Sequence, residues 1–172
     1  MENEASNERR YLHRAIELAL QTEKLGNLPI GAVVTLDDKI IAEAGNAMLA
    51  PCYHPGRHAE MEALQRVPLE LWPRSREMTC YSTLEPCMMC MGALLLHGFG
   101  RVVFGAEDRV GGAGKVLAHL PNYFAGGKNV PNWIGPLLPE ICDVLYLRAL
   151  QRFDQLACGR SGLQFKNVPS KL

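Results

Sequence analysis

The chain has no net charge: 18 Lys and Arg balance 18 Asp and Glu across 172 residues. No global field therefore draws it toward nucleic acid or an anionic surface. It has no run of 18 or more apolar residues, which excludes a membrane-spanning helix from the sequence pattern. Its opening, MENEASNERRYLHRAIELAL, is acidic and then amphipathic. That stretch lacks the basic start, apolar segment and small-residue cleavage site of a signal peptide. The expected compartment is the cytoplasm, where thiols stay reduced, so the six cysteines make a poor disulfide framework. Internal repeats, low-complexity blocks and Gly/Ser/Pro linkers are missing as well. Residues 1–172 are accordingly expected to form a single domain with a real core.

The charge that is present is unevenly placed. From Arg148 onward five basic residues (Arg148, Arg152, Arg160, Lys166, Lys171) stand against one acid, Asp154. Residues 160–172 read as a basic, flexible tail, either a solvated end or a docking surface.

Apolar positions Leu12, Ala15, Ile16 and Ala19 recur at helical spacing, so residues 8–25 are expected to form an amphipathic helix. IGAVV (30–34) and KIIAEAG (39–45) flank Leu36-Asp37-Asp38 and read as a β-hairpin. A helix from His58 to about Arg66 is opened by His54-Pro55-Gly56 and stopped by Pro68. MTCYSTL (78–84) reads as a strand, Cys87 to His97 as a helix, and RVVFGA (101–106) as a strand buried on both faces. Residues 106–135, Gly-rich and punctuated by Pro121 and Pro131, are too long for a passive connector; they suggest a lid or substrate-binding loop. Pro139 suits the first turn of a last helix reaching Ala157, with Gly159 as its stop. Helices alternating with strands imply an α/β fold whose central sheet carries helices on both faces.

TLEPCMMC (83–90) raises the chemical question. Two cysteines three apart open a helix, where both sulfurs can reach one point and the helix end favours thiolate. A disulfide, a redox dithiol and two legs of a metal site all suit that spacing. RHAEMEAL (57–64), with His58 29 residues before Cys87 and Glu60 two residues after His58, decides between them. One imidazole and two thiolates make a three-ligand zinc site with the fourth position open, the catalytic pattern rather than the closed structural one. Zinc in such a site lowers the pKa of a water toward neutrality. Glu60 then supplies a carboxylate that can take a proton and hand it to a leaving nitrogen. Residues i and i+2 of a helix point to nearly opposite sides, so His58 and Glu60 share a site only if it lies over the helix end. H-x-E…P-C-x-x-C is the signature of zinc-dependent nucleobase deaminases, and both halves occur here in order, with Pro86 directly before Cys87.

LPIGAVV (28–34), HAEMEAL (58–64), TLEPCMMCMGALL (83–95) and RVVFGAEDRVGGAG (101–114) resemble the cytidine deaminase superfamily. Within it they resemble the branch of bacterial tRNA adenosine deaminase and guanine deaminase. The resemblance implies a three-layer α/β/α sandwich with a mixed sheet of about five strands. It also implies one Zn2+ per subunit on His58, Cys87 and Cys90, Glu60 as proton shuttle, and a homodimer with active sites near the subunit interface. It places Asn46 against the substrate base and Asp108 near the substrate sugar. The bland alternatives are that Asn46 caps the strand exit and that Asp108 is a solvated loop acid. Glu85 enters the substrate-binding set chiefly through its backbone, its side chain being structural. Gly56 and Arg57 depart from the small Thr-Ala pair usual before the histidine; Arg57 can reach a phosphate or carboxylate or face solvent. Two prolines fall where the fifth strand is expected, so that strand should be short or shifted. Tyr123, Phe124 and Trp133 either close over a flat base or simply pack.

The expected activity is hydrolytic deamination of a purine-type amine, either adenosine in a tRNA loop or a free base or nucleoside such as guanine. Two other classes compete with it. A silent zinc-binding partner subunit would normally lack Glu60. A thiol-disulfide oxidoreductase would hold no metal.

Overall fold

The computed structural model describes residues 2–125 and 130–157. Gly159 and the basic tail of residues 160–172 lie outside the described residues. Chain order is α1 (Glu2–Lys24), β1 (Gly31–Leu36), β2 (Lys39–Gly45), α2 (Ala59–Leu64), β3 (Thr79–Leu84), α3 (Met88–Leu96), β4 (Arg101–Ala106), α4 (Asn122–Ala125), β5 (Asn132–Ile134) and α5 (Pro139–Ala157). Two 3-10 segments, Leu69–Glu77 and Gly114–His119, complete the set. Strand order is β2-β1-β3-β4-β5, with β1 antiparallel to both β2 and β3 and the last three strands parallel. The mixed five-strand sheet and the flanking helices are as expected.

Side-chain alternation explains the layers. Ala32, Val34 and Leu36 of β1 point to one face, where they meet Ala59, Ala63 and Leu64 of α2 and Leu94 of α3. Val33, Tyr81 and Val103 point to the other, against Tyr11, Leu12, Ala15 and Ile16 of α1 and Cys142 and Leu145 of α5. Every residue of β1 is buried because it is a central strand covered on both sides. Gly31 makes the approach of α1 possible: a Cβ there would lie 2.0 Å from the Ala15 carbonyl oxygen.

The hairpin turns on Asp37 and Asp38, with φ of 51° and 56°. Positive φ at both central residues is the type I′ signature that matches strand twist, and Asp tolerates it. Two helix ends differ most from the sequence reading. α1 starts at Glu2 rather than residue 8. α2 ends at Leu64, with Gln65 as its cap, two residues early. The 3-10 segment at Leu69–Glu77, which carries Pro73, had no clear periodic signal. β5 is short, as expected: it has three residues, because Pro131 and the Gly135-Pro136 pair bracket it and proline cannot donate to a ladder.

Candidate active site

β3 ends at Leu84, and Glu85-Pro86 turn the chain into α3, with Cys87 as the N-cap. On the same face of the sheet α2 begins one residue after His58, which is its N-cap in an extended conformation (φ −70°, ψ 155°). That conformation removes the i, i+2 difficulty. His58 projects from outside the helix and Glu60 from its first turn, so both reach the space over the helix end.

Three ligand atoms converge there. His58 Nδ1 lies 3.6 Å from Cys87 Sγ and 3.7 Å from Cys90 Sγ, and the two sulfurs are 3.7 Å apart. A tetrahedral zinc centre with bonds of about 2.3 Å to sulfur and about 2.0 Å to nitrogen puts its sulfurs about 3.8 Å apart and sulfur and nitrogen about 3.5 Å apart. The triangle therefore has the dimensions of one face of that tetrahedron. Among the described residues this is the one group of three potential ligands, and no fourth protein ligand joins it. When bound, the ion supplies a Lewis acid that ionises a water near neutral pH.

The two thiols are inequivalent. Cys87 is held down to about 4, chiefly by its hydrogen bond with Cys90, with His58 adding to the effect. Cys90 is pushed well above the usual thiol range by that same hydrogen bond and by burial. His58 is raised by its hydrogen bond to Cys87. Metal ligands must be deprotonated, so taking up zinc releases protons here.

Glu60 is buried beside this triangle, with Oε2 3.5 Å from Cys90 Sγ. Ser82 Oγ donates to its other oxygen, Oε1, at 3.0 Å. Burial pushes the carboxyl above the ordinary range.

A cavity of about 160 Å³ opens from the metal triangle. His58, Glu60, Cys87 and Glu85 line it, together with Leu28, Ile30 and Met48. α5 lines it through Tyr146, Ala149, Leu150 and Phe153, and Ala149 packs with Leu28 and Met48. The four α5 residues were missed in the sequence, although their i, i+3, i+4, i+7 spacing marks one helical face.

Asn46 and Asp108 both line the cavity. Asn46 Oδ1 accepts from the Met48 N–H at 3.0 Å, while its Nδ2 is buried with no hydrogen-bond partner among the described residues. Asp108 Oδ1 accepts from Tyr146 Oη at 2.7 Å and from the N–H groups of Val110 and Gly111. Glu85 also reaches the cavity, but its carboxylate serves the loop after β4. Oε1 accepts from Gly114 N and Trp133 Nε1, and Oε2 from Asp108 N. Its backbone N–H continues the ladder to Ala106 O.

The remaining sequence candidates fall away from the cavity. Arg57 makes a two-point ion pair with Glu62, at 2.8 and 3.1 Å. Of the described residues in 106–135, Asp108 alone lines the cavity. Ala113, Val116, Leu117, Phe124 and Trp133 pack against Met91 and Leu95 of α3, and Tyr123 is exposed, edge-on to Phe124.

A three-ligand metal face with a buried carboxylate at its edge and a small cavity above it is suited to hydrolysis at a ring carbon bearing an amino group. That is deaminase chemistry, on a C–N bond. The chain belongs to the cytidine and deoxycytidylate deaminase zinc-binding family, which residues 5–106 match.

Its relatives include the tRNA-specific adenosine deaminase of Bacillus subtilis, 40% identical over 112 residues, covering 64% of this chain and 68% of that protein. That of Haemophilus influenzae is 43% identical over 101 residues, 58% of either chain. A cytosine deaminase of Candida albicans is 32% identical over 112 residues, 64% of this chain and 74% of that one. A structure from a study of A-to-I editing by tRNA:A34 deaminases superposes with a TM-score of 0.63 at 28% identity, covering 74% of this chain and 98% of the other. A guanine deaminase of Nitrosomonas europaea shares the fold, with a TM-score of 0.60 at 20% identity over 81% of this chain and 83% of the other. Among the described residues no helix is long and apolar enough to cross a membrane.

Proposed function

We propose that the chain deaminates an adenine base presented by an RNA loop such as that of a tRNA, releasing ammonia. The observation that carries this reading is the unpaired Nδ2 of Asn46. A buried amide donor left without a partner costs about 1–3 kcal/mol, so a ligand acceptor gains by meeting it. It lines the same cavity as Glu60, so a base bound by its ring edge to Asn46 can present an amino-bearing carbon to the metal face.

Size supports a single ring system inside. The cavity's roughly 160 Å³ falls below the roughly 300–1,000 Å³ typical of drug-sized ligands. A splayed-out base fits that description, with sugar and neighbouring nucleotides left outside near Asp108 and Tyr146. Glu60 carries the attacking water's first proton to the ring nitrogen and its second, from the hydroxyl left on the ring carbon, to the amino nitrogen, which departs as ammonia as the C–N bond breaks. Similarity to the tRNA-specific enzymes favours RNA over a free base. A homodimer is part of this reading, supported by exposed Met88 and Met89 beside the site, and light scattering of the purified chain tests it.

The experiment is to incubate zinc-loaded protein with an adenosine-containing stem-loop RNA, adenosine, adenine and guanine, measuring ammonia and product base. Inosine from the RNA is expected. Turnover of guanine with the RNA inert, or no turnover at all, overturns the assignment.

A further inference from the structure

We propose that Ser82 is a positioning residue that holds the Glu60 carboxylate in its proton-carrying orientation. This rests on Glu60 acting as the proton carrier. Ser82 lies on β3 with no solvent exposure, and its Oγ is 3.0 Å from Glu60 Oε1. A hydroxyl has one proton to give. Ser82 Oγ also accepts from the Leu84 N–H at 3.4 Å, which directs that proton toward Glu60.

The carboxylate is thereby divided between two tasks. Oε1 is fastened to a strand in the middle of the sheet, and Oε2 faces the metal ligands, 3.5 Å from Cys90 Sγ. A side chain held by one oxygen cannot swing about its last bond, so the other stays aimed at the reacting centre. Proton transfer requires heavy atoms within about 2.6–3.2 Å, and loss of such an anchor affects the chemical step more than binding. Ser82 is not among the residues lining the cavity, so it acts on the substrate only through Glu60.

The test compares Ser82→Ala, Ser82→Val and Ser82→Thr as zinc-loaded full chains. Thr and Val have the same shape, so crowding in the strand is common to both and the hydroxyl alone separates them. Ser82→Ala and Ser82→Val should lose about tenfold to a hundredfold in kcat, matching loss of a hydrogen bond to a charged group, with KM and zinc content unchanged. Ser82→Thr should recover most of that loss. Equal kcat for Thr and Val, or a rise in KM without a fall in kcat, overturns the proposal.

A second readout needs no substrate. In a double-mutant cycle of Ser82→Ala and Glu60→Ala, the shifts in denaturant midpoint should be non-additive. Additive shifts sink the hydrogen bond even if the protein turns over none of the substrates tried. Conversely, coupling in a protein inert toward every substrate would leave the anchor standing and remove the assigned activity.

Discussion

The Tyr146 hydroxyl donates a 2.7 Å hydrogen bond to Asp108 Oδ1, tying α5 to the loop after β4 at the mouth of the cavity. One contact thus joins the apolar helical wall to the acidic lip. Tyr146→Phe keeps the ring and removes the tie. It should lower stability by about 1 kcal/mol and raise KM for the RNA with kcat little changed. Denaturant melts and steady-state kinetics measure both, and an unchanged KM would show that the lip needs no fastening.

Glu60→Gln preserves shape and removes the proposed proton carrier. Zinc content by elemental analysis should stay at the level of the parent chain, while ammonia release falls about 10²–10⁴-fold. A Gln variant with full activity would remove Glu60 from the reaction.

Chelation should abolish turnover and lower the melting temperature, both restored by added zinc. Zinc held at about a hundredfold above its dissociation constant contributes about 2.7 kcal/mol of stability. A melting temperature indifferent to chelator and zinc would mean that His58, Cys87 and Cys90 hold no ion.

Gly112 sits where the loop meets its anchor: a Cβ there would lie 2.2 Å from Glu85 Oε2 and 2.5 Å from the Asp108 carbonyl. Gly112→Ala should cost about 1–3 kcal/mol as overpacking, because the carbonyl belongs to backbone and cannot swing aside. It should also weaken substrate binding by displacing Asp108. Calorimetry and KM together check this.

The Arg57–Glu62 pair sets an acid-side dependence. Hydrogen bonding to Arg57 holds the Glu62 carboxyl below its ordinary value of 4.5, against the opposing effect of burial. A carboxyl depressed in the folded state contributes stability above its unfolded value, and that contribution fades as pH falls through the lower folded value. Glu62→Gln should therefore be less stable than the parent at pH 7, with the difference shrinking below about pH 4.5. Denaturant midpoints from pH 7 to pH 4 follow the trend, and a constant gap would contradict it.

Much of the fold was legible because its signals are local. The apolar stripe of α1, the alternation in β1 and the Asp37-Asp38 turn each state their conformation within a few residues. β5 was legible only as an interruption, since two prolines announce what cannot continue rather than what pairs. The candidate metal ligands were readable because ligand chemistry restricts residue type and spacing together. Glu60 followed once His58 was placed at a helix start.

Roles that depend on which distant segments meet were not legible. Arg57 looked equally suited to a phosphate, a carboxylate or solvent, and packing placed it against Glu62. The Glu85 carboxylate is spent on Gly114 and Trp133, 29 and 48 residues away. Tyr123, Phe124 and Trp133 had no periodicity to say whether they face a base or a helix.

By itself the sequence determined the residue types of the candidate reaction centre, because His58 with Glu60 and Cys87 with Cys90 each sit at a fixed spacing at the start of a helix. The tertiary structure decided what surrounds them: the α5 wall, the unpaired Asn46 amide and the Ser82 anchor. Those depend on strand order and helix docking, which bring together residues with no spacing in common, and no local pattern in the chain encodes such a meeting.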